Sequence, residues 1–118
     1  MTPKKLQITL CNTCVRDNYG EGIFATTDSV ERAYRERLQG LGADLMPVFR
    51  RQNCFNLCEN YYCVQVDDRE TGVLLKKISD PDKIHSVCEW VKTCAQSGKF
   101  EIADSLKSHL AETVKVTA

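Results

Sequence analysis

Cysteines are the residues of this chain whose type and spacing point most directly to chemistry: there are seven in 118 residues. Four of them form two short pairs, Cys11-x-x-Cys14 and Cys54-x-x-x-Cys58. Thiols that cluster in a reducing compartment favour metal binding or redox chemistry over structural disulfides. Because thiolates are the ligands of soft metals and iron–sulfur clusters, the spacing predicts a metal centre held by these four residues.

The other three cysteines fall in different surroundings. Cys88 and Cys94 lie on the apolar side of a predicted helix, where a thiol behaves as a small hydrophobic side chain. Cys63 lies in a predicted strand close behind the second pair. It is therefore a packed thiol, an additional ligand, or the fourth ligand in place of Cys14. Arg16, Arg50 and Arg51 lie close to the pairs in sequence and either offset the charge of the thiolates or are solvated surface residues.

The composition is that of an ordinary globular chain with balanced charge. A length of 118 residues fits one domain with a real core, and we expect residues 1–118 to form a single domain. Sixteen basic and sixteen acidic residues are interspersed, so neither nucleic acid nor an anionic membrane is an expected partner. The N-terminal residues lack the apolar run of a secretory signal, and the apolar stretches are too short to span a bilayer. We therefore expect a cytoplasmic protein.

A strand is predicted before each cysteine pair. Apolar and polar residues alternate over residues 5–10, which predicts a strand that ends at Cys11. Apolar residues then recur at helical spacing between a cap at Thr27 or Asp28 and a stop at Gly40. Residues 44–52 predict a second strand. Because a helical crossover returns the chain parallel to the first strand, both pairs are expected at the same end of the sheet.

The second half of the chain predicts a hairpin followed by helices. Residues 61–66 and 73–78 are predicted strands joined by a turn. A helix capped by Ser79 or Asp80 follows, and a C-terminal helical extension is predicted over residues 98–118. The predicted order is β-α-β-β-β-α-α, an α/β (α+β) fold with one mixed sheet flanked by helices.

The pattern resembles the thioredoxin-like [2Fe–2S] ferredoxin family over about residues 5–96. In that family a cysteine closes the first strand, as Cys11 does here, and a C-x3-C pair follows a helix, as Cys54 and Cys58 do here. The family's second ligand usually lies several residues further along the loop than Cys14 does. The chain is also similar to a group of small bacterial metal-binding proteins with a CxxC…CxxxC pattern, in which a further cysteine follows closely, as Cys63 does here.

The resemblance implies a fold, a cofactor and an activity. The fold is the thioredoxin-like ferredoxin fold, and the cofactor is a [2Fe–2S] cluster on Cys11, Cys14, Cys54 and Cys58, with Cys63 as the substitute ligand. The activity is one-electron transport to a redox partner protein, without catalytic residues, and the family relationship is compatible with a homodimer. The chain is therefore expected to be an electron carrier and not an enzyme.

Two other functions remain open on the sequence. Four cysteines at these spacings also suit a structural zinc module. A C-x-x-C motif after a first strand is also typical of dithiol-disulfide oxidoreductases, but residues 15–27 do not have the pattern of a helix that begins at the motif. The two histidines, His85 and His109, fall in predicted helices away from the cysteines and are expected at the surface.

Overall fold

The computed structural model describes residues 4–11, 22–52 and 62–115. In this part of the chain a five-stranded mixed sheet is packed against helices, which confirms the predicted mixed α/β class. The strands are β1 (Gln7–Cys11), β2 (Val48–Gln52), β3 (Val64–Asp67), β4 (Thr71–Leu75) and β5 (Leu110–Lys115). The α-helices are α1 (Thr27–Arg37) and α2 (Pro81–Ser97), and short 3-10 helices span Gly22–Ala25, Gln39–Leu41 and Asp104–His109.

The sheet has the order β2-β1-β3-β4-β5. β1 and β2 run parallel, and the other neighbouring strands are antiparallel. Parallel neighbours need a crossover connection, and α1 lies in the chain between β1 and β2. In the parallel register Cys11, the last residue of β1, is the partner of Gln52, the last residue of β2. The predicted β-α-β unit is confirmed, and both strands end at the same edge of the sheet.

Side-chain caps and one glycine define the ends of the two α-helices. Thr26 caps α1, since its hydroxyl accepts a hydrogen bond from the Ser29 N–H at 3.0 Å. Asp80 caps α2 by accepting one from the Lys83 N–H at 2.8 Å. Gly98 ends α2 with φ of 75°, a left-handed conformation that glycine adopts without steric cost. The start of α2 was predicted correctly, and α1 is capped one residue earlier than expected.

The core lies between one face of the sheet and the apolar sides of α1 and α2. Alternate residues of β1 and β3, such as Ile8 and Val66, contribute to it from the sheet. Cys88 and Cys94 belong to this core, 0 % and 3 % exposed, as predicted. The Cys88 thiol lies 3.7 Å from the Tyr34 carbonyl oxygen, to which it donates. Burial raises the pKa of Cys88 to about 12, so this thiol stays protonated and unreactive at neutral pH.

The prediction of an α-helix at the C-terminal end is wrong. Asp104–His109 forms a 3-10 helix, and β5 then pairs antiparallel with β4. Ile102, Leu106 and Leu110 recur every four residues, and all three contact the core in this irregular arrangement. The apolar residues of this segment thus have the spacing of an α-helix although the segment does not form one. The physical reason for the strand is that β5 pairs the backbone groups along the outer side of β4, which an added helix could not do.

Asp68 organises the turn between β3 and β4. Its Oδ1 accepts hydrogen bonds from the N–H groups of Glu70 at 3.0 Å and Thr71 at 2.8 Å. Its Oδ2 accepts one from the Lys4 ammonium at 3.2 Å, which joins the turn to the start of the chain. Burial opposes ionisation of this carboxyl, but the bonds from Thr71, Glu70 and Lys4 outweigh that effect and hold its pKa below the ordinary 3.8.

Asp68→Asn is expected to weaken the acid sensitivity of the fold. Because the pKa of Asp68 is lower in the folded chain, its carboxylate stabilises the protein above the unfolded pKa of about 3.9. That stability is lost as the pH falls through the folded pKa. Urea unfolding followed by circular dichroism below about pH 4 should show a shallower loss in the variant. Glu70→Gln, in the same turn, is the control, and an Asp68→Asn profile as steep as the wild-type profile would contradict the assignment.

Candidate metal centre

Cys11, the first residue of the predicted metal centre, lies at the edge of the sheet where β1 and β2 end. Cys11 and Gln52 are partners in the parallel register at this edge. β3 starts at the same edge, since Val64 pairs with Leu10 of β1. Of the predicted ligands, the structure places Cys11 and the substitute Cys63. Cys14, Cys54 and Cys58 lie outside the described residues.

Cys11 and Cys63 pack together on the sheet face that points away from α1 and α2. Their neighbours Leu10 and Val64 are in the helix-covered core, and strand side chains alternate between the two faces. Cys11 is 2 % exposed and Cys63 is 3 % exposed. With Leu74 they form a second apolar cluster, against which the partly buried Tyr62 and Ala111 pack. The structure thus brings a predicted ligand together with the cysteine that the sequence left open.

A small cavity of about 10 Å³ adjoins these two cysteines. Apolar, aromatic and thiol side chains line it: Leu10, Cys11, Val30, Tyr34, Tyr62, Cys63, Val64 and Ile78. None of these lining residues carries a charge at neutral pH. On their own face the two cysteines contact Leu74, Tyr62 and Ala111, so they lie in surroundings of low polarity, where interactions between charged groups are stronger than in water.

The two arginines at the end of β2 differ in their surroundings. The Arg51 guanidinium binds the carboxylates of Asp28 and Glu31 in the first turns of α1. The hydrogen bond that Arg51 donates to the Asp28 carboxylate is the main reason that the pKa of Arg51 is raised. Arg51 therefore joins β2 to α1 and is not available to offset thiolate charge. Arg50 is exposed and pairs in register with Thr9, which places it on the same sheet face as Cys11.

The sequence analysis missed a buried carboxylate on the face that holds the cysteines. Asp67 is 0 % exposed. Its oxygens accept hydrogen bonds from the side-chain amides of Gln7 at 3.4 Å and Gln65 at 3.3 Å, and from the Arg69 N–H at 2.9 Å. The sequence contained a signal for this placement, because Cys63, just before β3, and Gln65 and Asp67 within it occupy every second position and so share one face of the sheet. These bonds join β1 to β3 and help to hold the two strands in register.

The two histidines lie in different surroundings. His85 is on the exposed side of α2, 3.6 Å from Glu89, as predicted. His109 is in the last 3-10 helix, not an α-helix, and is only half-exposed, with its Nδ1 3.1 Å from the Lys76 carbonyl oxygen. The His85 contact lies within α2, whereas the His109 contact joins the last 3-10 helix to the residue that follows β4.

Within residues 4–11, 22–52 and 62–115, no three side chains of His, Cys, Asp or Glu meet at a point where they could hold a metal ion. Three of the four predicted ligands lie outside these ranges. No helix in the described part of the chain is both long and apolar enough to cross a membrane. Neither a protein-family model nor a curated protein matches the chain.

Proposed function

We propose that the protein is a small iron–sulfur protein in which Cys11, Cys14, Cys54 and Cys58 bind a [2Fe–2S] cluster. The observation that carries the proposal is the pairing of Cys11 with Gln52 at the common end of β1 and β2. Neighbouring strands lie about 4.8 Å apart. In the sequence, the first cysteine pair starts at Cys11 itself and the second starts two residues after Gln52. The strands that lead to the two pairs thus end at adjacent points of the sheet.

The strand arrangement supports a thioredoxin-like ferredoxin fold for this site. A β-α-β unit is followed by the β3–β4 hairpin and α2, and β3 lies antiparallel beside β1. This order matches the one that the resemblance implies over residues 5–96. β5, added to the outer side of β4, lies beyond the family pattern.

The chain's own residues suit thiolate ligation. A [2Fe–2S] cluster, when bound, supplies one-electron transfer, with a potential that depends on burial and on hydrogen bonds to the sulfurs. Cys11 is almost fully buried in a cluster with Leu74, against which Tyr62 and Ala111 pack. These side chains would keep water away from the sulfur, which protects it from oxidation and tunes the potential. The proposed role is that of a cytoplasmic electron carrier for a redox partner protein, not of an enzyme.

A structural zinc module is the second candidate. The burial of Cys11 and Cys63 favours it, because structural zinc sites are closed sets of four ligands with no open position. Such a site would stabilise the fold and transfer no electrons. The iron–sulfur protein would contain iron and sulfide and be coloured, whereas the zinc module would contain neither and be colourless. These properties can be measured directly.

The test is a metal analysis of the whole chain after anaerobic purification and reconstitution with ferrous iron and sulfide. The proposal expects about two iron and two sulfide ions per chain, a red-brown colour, and a paramagnetic resonance signal after reduction by dithionite. Zinc bound at about one ion per chain without colour would replace the proposal with the zinc module. A chain that retains neither metal after reconstitution would contradict both.

A further inference from the structure

We propose that Arg51 is a positioning residue for the metal centre and acts by clamping the end of β2 to α1. This inference rests on the proposed function, because it assumes that one metal centre joins the two cysteine pairs. Only two residues separate Arg51 from Cys54 in the sequence, so β2 is the strand that leads to the second pair. Arg51 is not a ligand and acts on the centre through the position of this strand.

In the described sheet β2 is an edge strand, with β1 as its neighbour on one side. The Val48 N–H donates to the Leu6 carbonyl oxygen at 3.0 Å, so the backbone groups of Val48 face β1. Alternate residues of a parallel strand bond to the same neighbour, and the backbone groups of Arg51 therefore face away from β1. The pairing with β1 thus holds the end of β2 from one side.

The Arg51 side chain supplies a second attachment for this end of the strand. Its guanidinium pairs with the carboxylate of Asp28 and, at 3.4 Å, with that of Glu31, both in the first turns of α1. α1 is itself fixed, because Thr26 caps it and its buried side chains, such as Tyr34, belong to the core. The clamp therefore ties an edge strand to an anchored helix.

A second arginine, Arg35 of α1, holds the clamp in place. It donates to Glu31 at 2.9 Å, and its guanidinium carbon lies 4.4 Å from the centre of the Phe49 ring. Phe49 and Arg51 are two positions apart in β2, so both side chains lie on the face of the strand that meets α1. Glu31 therefore binds one arginine from the helix and one from the strand, which orients its carboxylate toward Arg51.

Arg50, the preceding residue of β2, is positively charged but does not take part in the clamp. It pairs in register with Thr9, which places its side chain on the face of Cys11, and it is exposed. Among residues 4–11, 22–52 and 62–115 it has no ion-pair partner, whereas Arg51 has two. The two arginines therefore bring a similar charge to the end of β2, and of the two it is Arg51 that ties the strand to α1.

A fixed end of β2 lowers the cost of metal binding. Gln52, the last residue of β2, is held beside Cys11, the last residue of β1, before a metal arrives. Less conformational entropy is then lost when ligands that follow both strands meet one centre. The ion pair is partly exposed, since 36 % of the Arg51 side chain and 75 % of the Asp28 side chain are accessible. Exposed pairs typically change an equilibrium by at most about fivefold, which sets the size of the expected effect.

The test measures how fast the reconstituted protein loses its visible absorption to an excess of the chelator EDTA. We expect Arg51→Gln and the double variant Asp28→Asn/Glu31→Gln to lose it about two- to fivefold faster than the wild type. Arg50→Gln, which removes a neighbouring charge without touching the clamp, should lose it at the wild-type rate. The double variant is decisive because it breaks the clamp and leaves the charge of Arg51 in place. If Arg51 acted by its charge on the thiolates, the double variant would be no faster than the wild type, and that result would overturn the inference.

Glu89→Gln is the control for a merely structural role. It breaks the partly exposed ion pair with Lys92 at 3.6 Å, which lies within α2 and does not involve β2. Urea unfolding of the metal-free variants, followed by far-UV circular dichroism, compares their stabilities. We expect Glu89→Gln to lose its absorption at the wild-type rate. If it loses the absorption as fast as an equally stable Arg51→Gln, the role of Arg51 is general stability and the inference is overturned.

Failure of the proposed function is recognised separately, on the wild-type chain. If this chain binds zinc in place of the cluster, release of zinc to a colorimetric chelator replaces the absorption measurement, and the same order of rates is expected. A wild-type chain that binds neither iron nor zinc overturns the role assigned to Arg51 together with the proposed function. Equal rates in a metal-loaded wild type, Arg51→Gln and the double variant overturn the role of Arg51 alone.

Discussion

Replacing Cys54 or Cys58 with serine is expected to lower the iron and sulfide content of the reconstituted protein at least about tenfold and to bleach or shift its visible spectrum. Serine differs from cysteine mainly in offering a harder oxygen in place of the sulfur. Iron–sulfur clusters are held by thiolates, so the loss of one sulfur removes a bond that the hydroxyl replaces poorly. Iron, acid-labile sulfide and absorption are measured on the same sample.

Cys94→Ser is the matched control for these two variants. Cys94 is buried in the core, and its sulfur lies 3.9 Å from the Glu101 carbonyl oxygen, to which it donates. Burial raises the pKa of Cys94, which keeps it a neutral thiol. A serine hydroxyl can donate to the same carbonyl, so the control should keep its cluster. Wild-type spectra in both Cys54→Ser and Cys58→Ser would remove these residues from the ligand set.

Trp90→Ala is expected to lower the free energy of unfolding by about 3–5 kcal/mol, a large part of the ~5–15 kcal/mol of a typical domain. The Trp90 ring is 5 % exposed and lies 5.5 Å from the Phe100 ring, centroid to centroid. Its Nε1–H donates to the Glu101 carbonyl oxygen at 2.6 Å. Truncation would open a cavity and remove the side chain that ties the segment before β5 to α2.

Urea unfolding followed by far-UV circular dichroism measures this effect. Trp90 is the only tryptophan of the chain, so fluorescence cannot compare the variants. Trp90→Phe keeps an aromatic ring against Phe100 and loses the hydrogen bond, which should cost about 1–3 kcal/mol. An alanine variant that is no less stable than the phenylalanine variant would show that the ring packing contributes little.

The local pattern of apolar and polar residues was sufficient to predict the strand and helices near the predicted site. The alternation over residues 5–10 predicted β1, and the apolar stripes with their caps predicted α1 and α2. Period and capping are properties of neighbouring residues, so a short window of sequence contains them. The placement of Cys11 at the end of a strand, and of Cys88 and Cys94 in the core, depends on the same local signals.

Long-range pairing decided what these patterns left open. The spacing of Ile102, Leu106 and Leu110 suits an α-helix, yet the chain forms a 3-10 helix and β5, because the edge of β4 offers backbone partners that no local window reveals. In the same way, Cys11 and Cys63 share a cluster with Leu74 only because the chain folds β3 between β1 and β4. The sequence by itself determined β1, α1 and α2 and made the paired cysteines the candidate metal ligands. The tertiary structure decided which thiols meet, since strand register depends on contacts between residues far apart in the chain.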